Sequence, residues 1–181
     1  MFVTAEEKGL LGSAHYVAHP LLPLNSTVAN INIDGGNVWG RTSDVVGIGA
    51  EASSLGALLA DAAHDEGMTV TRNPTAEREG SFFRSDQLSF AQGGVPGIDI
   101  QSGCGFVGQA DPAAFCAKVH ADYTAHRYHQ PSDEYDASWD LEGALQVCRI
   151  AARMAWRLAE SIDFPKFVEG SAFHRPSTNP T

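Results

Sequence analysis

Glu6 and Glu7 stand side by side at the end of a short apolar run, Phe2-Val3-Thr4-Ala5. Adjacent carboxylates repel at neutral pH, and a cation or a retained proton relieves that repulsion. The plainer alternative is a solvated first helical turn in which both acids favour the helix dipole. Two further segments carry groups of compatible chemistry. Residues 28–34 form a β-branched, mostly apolar run that closes on Asp34 and two glycines, as a buried strand with a carboxylate at its tip does. His129 lies in the polar stretch Arg127-Tyr128-His129-Gln130-Pro131-Ser132-Asp133-Glu134, which Pro131 keeps out of helix. Two carboxylates and an imidazole are the donors of a zinc site with an open coordination position. His15 and His19 also share a helical face, but Pro20 closes that helix and makes them a terminal turn rather than a metal pair.

The segments Ala5-Glu6-Glu7-Lys8-Gly9-Leu10-Leu11-Gly12-Ser13, Asn32-Ile33-Asp34-Gly35, Phe83-Arg84-Ser85-Asp86-Gln87-Leu88-Ser89-Phe90 and Tyr128-His129-Gln130-Pro131 occur in one order. Together they resemble metallopeptidase family twenty-eight, the co-catalytic di-zinc aminopeptidases and carboxypeptidases. The resemblance implies Glu6 as general base, Glu7 and His129 as ligands of one zinc, and Asp34 as a ligand of the other. It implies a peptide substrate and places Arg84, Asp86, Tyr128 and Asp133 around the centre. Arg84 would meet a substrate carboxylate and Tyr128 a tetrahedral oxyanion, while Asp133 would support the histidine loop. Read by itself, Asp86 is a helix N-cap or first-turn acid.

Members of that family also carry, upstream of the glutamate pair, a histidine ligand and a bridging aspartate. This chain has five residues before the pair and neither group among them. One metal would have two protein ligands and the other a single one, against the usual three. The expectation is therefore the C-terminal part of a zinc exopeptidase, inactive alone. The alternatives are a degenerate binding module of the same fold and a single-zinc acyltransferase similar to glutaminyl cyclase.

Strands and helices must alternate to bring these groups together. Residues 2–5, 28–34, 45–49, 68–72 and 95–101 read as strands, and 10–18, 55–64, 86–92 and 112–123 as helices. After Asp140, a stripe of Leu141, Leu145, Cys148, Ala152, Ala155 and Leu158 marks a long amphipathic helix, with Cys148 expected in the core. The pattern predicts a three-layer α/β domain over residues 1–175 with a mostly parallel sheet, zinc-exopeptidase-like but lacking that fold's N-terminal strands, and a disordered tail over 176–181. A strand edge left open would be covered by an assembly such as a homo-oligomer.

The chain has 181 residues, 43% of them hydrophobic, enough for one domain with a sizeable core. Its formal charge of −10 argues against nucleic acid and anionic membranes as partners. No run of eighteen apolar residues and no signal peptide is visible. Of the three cysteines, Cys104 and Cys116 are near enough in sequence to close a loop, and the spacing alone leaves their pairing open. Such a link, and the habits of the family resembled, would suit a periplasmic or secreted parent protein.

Overall fold

The computed structural model describes residues 1–175; the expected tail over 176–181 lies outside them. Four strands form one sheet in the order β1-β4-β2-β3, with β1 at Asn30–Asn32, β2 at Asp44–Ile48, β3 at Thr69–Thr71 and β4 at Gly97–Ser102. β1 runs parallel to β4 and β2 parallel to β3, while β2 and β4 are antiparallel. Two pairings of three are parallel, as the alternation implies. Among the described residues there are six α-helices: α1 (Leu11–Ala18), α2 (Leu55–Asp65), α3 (Pro74–Arg78), α4 (Gln87–Gln92), α5 (Pro112–His126) and α6 (Glu142–Glu160).

The two-residue repeat of β2 divides the core. Val45 joins Ile98, Ile100, Leu55, Leu59, Val147, Ile150 and Met154 beneath α2 and α6. Val46 and Ile48 point the other way, towards Ala76 of α3 and Phe82. On that side α1 lies over α4, where Ser13 and Ser89 share a buried hydrogen bond of 2.8 Å and Tyr16 meets Phe90.

Three expectations are corrected. Residues 2–5 form no strand; among the described residues no strand lies beside them, and the Thr4 carbonyl accepts Gly12 N–H instead. β1 is confined to three residues because its ladder with β4 runs only from Asn30 to Asn32. The buried face of α6 is Gly143, Gln146, Val147, Ile150 and Met154, whereas Leu141, Leu145 and Cys148 are exposed. An apolar count misses this face because its first positions are a glycine and a glutamine. A Cβ at Gly143 would fall 2.1 Å from the Asn37 amide, and Gln146 exchanges two hydrogen bonds with the backbone of Thr42 at 3.0 and 3.1 Å. Ion pairs of Arg153 with Asp65 and Glu66, and of Arg157 with Asp61 and Asp65, tie α6 to the C-terminal end of α2.

Candidate active site

Glu6 and Glu7 occupy a single 3₁₀ turn, Glu6–Lys8, not the first turn of a regular helix. Ala5 and Gly9 bracket it in the left-handed region, at φ 57° and 96°. That conformation costs a non-glycine residue such as Ala5 about 1–2 kcal/mol, and such strain gathers where side chains must be aimed. His129 is left-handed as well, at φ 57°. Its Nε2 lies 2.6 Å from Glu7 Oε1, and its ring stacks on Tyr128 with centroids 3.8 Å apart.

Asp34 follows β1, where Ser85 Oγ donates to its Oδ2 at 2.8 Å. Asn32 Nδ2 in turn donates to Ser85 Oγ and to Gln87 Oε1, at 3.0 and 3.1 Å, so the tip of β1 is fixed to the segment that opens α4. Glu6 feels this crowd directly. Burial first, and then the charges of Asp34, Glu7 and Asp86, raise its pKa above the ordinary carboxylate range, while His129 pulls in the opposite direction. The glutamates, Asp34, Asp86 and His129 therefore share one electrostatic neighbourhood.

Asp86 stands at the N-cap position of α4 but makes no capping hydrogen bond. It is buried, and its Oδ1 has no hydrogen-bond partner among the described residues. Asp86 is thus an N-cap by position, as read, without the capping bond, and its carboxylate adds to the negative potential around Glu6. Arg84 is exposed and forms no ion pair among the described residues. Asp133 accepts the Tyr123 hydroxyl at 2.9 Å, inside the loop that carries His129. His19 stacks on His15 at an exposed helix end, and His126 pairs with Asp122 on the surface.

One acid in this region escaped the motif reading. Asp99 sits on β4 opposite Asn32, almost fully buried, and accepts Gln101 Nε2 at 2.7 Å. Burial pushes its pKa up to about 6. The signal in the sequence is an aspartate inside the otherwise apolar Val95-Pro96-Gly97-Ile98-Asp99-Ile100.

The donors suit zinc in kind: carboxylates and an imidazole, two of them already facing each other. They do not suit it in number. Among the described residues no three His, Cys, Asp or Glu side chains come together so as to hold a metal ion, and a catalytic zinc takes three protein ligands.

The sequence profile of Peptidase family M28 matches residues 1–155. The chain belongs to that family. It also resembles the solved aminopeptidase from Aneurinibacillus sp. strain AM-1, with a TM-score of 0.56 and 21% identity, over 90% of this chain and 35% of that one. At that identity the likeness establishes the α/β fold alone, and the chain spans about a third of the aminopeptidase's length. No curated protein matches it.

Proposed function

We propose that Glu6, Glu7, Asp34 and His129 are part of the active site of a zinc-dependent exopeptidase, an aminopeptidase, and that this chain alone is inactive. The observation that carries the reading is the 2.6 Å approach of His129 Nε2 to Glu7 Oε1 beside a Glu6 whose pKa is raised. A carboxylate of raised pKa is the better proton acceptor near neutrality. In a completed site Glu6 would take the proton of the attacking water and return it to the departing amine. Glu7, His129 and Asp34 would hold metal once further donors complete each set, and bound zinc would supply a water of lowered pKa. The surplus of carboxylates around Glu6 suits the ammonium of a peptide N-terminus, which favours cleavage from that end.

A form of the protein extended upstream to complete the donor set should, with zinc, hydrolyse aminoacyl-anilides. Glu6→Gln should lower kcat by about a thousandfold, the scale of a lost general base, with zinc content unchanged. Failure of the extended, zinc-loaded protein to hydrolyse any such substrate would favour a binding module. Cyclisation of an N-terminal glutamine would favour a glutaminyl-cyclase-like transferase.

A further inference from the structure

We propose that the Cys104–Cys116 disulfide positions His129. α5 buries one residue, and that residue is Cys116. No other helix or strand packs extensively along α5 among the described residues. Its contacts with the segments before it in the chain include aromatic pairs: Phe115 meets Phe106 at 5.0 Å, and Trp39 meets His120 and Tyr123 at 5.2 and 6.0 Å. A helix with so little apolar burial has little else to hold it in place.

The other half of the crosslink stands on firm ground. Cys104 lies between Gly103, whose N–H donates to the Asp44 carbonyl at 3.0 Å, and Gly105, whose N–H donates to the Asp44 carboxylate at 2.7 Å. Val107 N–H donates to the Arg41 carbonyl at 2.9 Å. Asp44 begins β2, is buried, and also accepts the Thr71 hydroxyl from β3 at 2.7 Å. This turn fits tightly against the sheet, for a Cβ at Gly103 would fall 2.1 Å from Asp44 Oδ2.

From α5 the order passes to the histidine loop. The N–H groups of Arg127 and Tyr128 both donate to the Tyr123 carbonyl, Gln130 Nε2 to the Ala125 carbonyl, and Ser132 Oγ to the His126 carbonyl. With the Tyr123 bond to Asp133, these bonds tie the loop back to the end of the helix. The sheet holds Cys104, the disulfide holds α5, and α5 holds His129 against Glu7. The importance of His129 rests on the exopeptidase reading, but the tether can be measured without any activity.

The test treats the chain with dithiothreitol, which gives two electrons and two protons to the S–S bond, leaves two thiols and closes to its own cyclic disulfide. Amide exchange is followed by mass spectrometry, and the histidine imidazoles by long-range ¹H–¹⁵N spectra. Reduction should speed exchange over residues 112–136 by about tenfold or more and shift or broaden the His129 signals. β2, β4 and His64 of α2 should stay unchanged, and glutathione disulfide should restore the starting state. The doubly substituted Cys104→Ser, Cys116→Ser chain should match the reduced protein and ignore dithiothreitol. Unchanged exchange over 112–136 would overturn the proposal. So would loss of protection across β2 and β4 together with a shift at His64, because the disulfide would then staple the whole domain. Peptide hydrolysis is scored separately, so either reading can fail alone.

Discussion

Asp99 and Glu6 show how far a side chain's chemistry depends on what lies beside it. In the folded chain Asp99 binds its proton more tightly than in the unfolded one, whose ordinary value is 3.8 against about 6. The sign follows: this group's penalty is absent at low pH, grows as pH rises through that interval, and is complete above it. Its size is roughly 3 kcal/mol. Urea denaturation should therefore show stability falling from pH 4 to 7, and Asp99→Asn should flatten the fall; an equal slope in the variant would refute the assignment. Glu6, Glu7, Asp34 and His129 could be picked out from sequence because their residue types sit in a recognisable motif order. Asp99 could not, and neither could the lack of a partner for Asp86 Oδ1 among the described residues, since both depend on neighbours supplied by the fold.

At the scale of the element, α6 separates pattern from packing. Both its faces carry apolar residues, so periodicity established the helix but not the side that is buried. Gln146 decides it, because its amide matches the Thr42 N–H and C=O that would otherwise be buried unpaired. Gln146→Leu, although more apolar, should destabilise the fold by about 2 kcal/mol or more. Leu145→Gln, on the exposed face, should stay within about 0.5 kcal/mol of the parent. Equal losses in chemical denaturation would put the buried face back on Leu145. In β2, a Cβ at Gly47 would fall 2.4 Å from Leu59 and 2.9 Å from Ile98. Gly47→Ala should therefore cost about 1–3 kcal/mol through overpacking, visible as a lower Tm. The strand expected over 2–5 failed for the converse reason: apolar residues make a strand only where a neighbour accepts the ladder.

Over the whole molecule, the order β1-β4-β2-β3 leaves β1 and β3 at the edges of the sheet. The residues read as catalytic gather around the tip of β1, where the edge and the short donor set coincide. A further strand beside β1, from more of the same protein or from a second copy, is the proposed cover. Among the described residues no helix is long and apolar enough to cross a membrane. The layered α/β plan was legible from alternating periodicities, whereas the antiparallel β2–β4 pairing was not, because local pattern does not encode strand direction. The claim that four side chains form an unfinished zinc centre is tested most directly by titrating zinc into this chain in a calorimeter, beside Glu7→Gln and His129→Ala. Weak binding to the unsubstituted chain is expected, well short of one tight ion per chain, and its loss in both variants. Two tightly bound zinc ions, or binding indifferent to both substitutions, would contradict it.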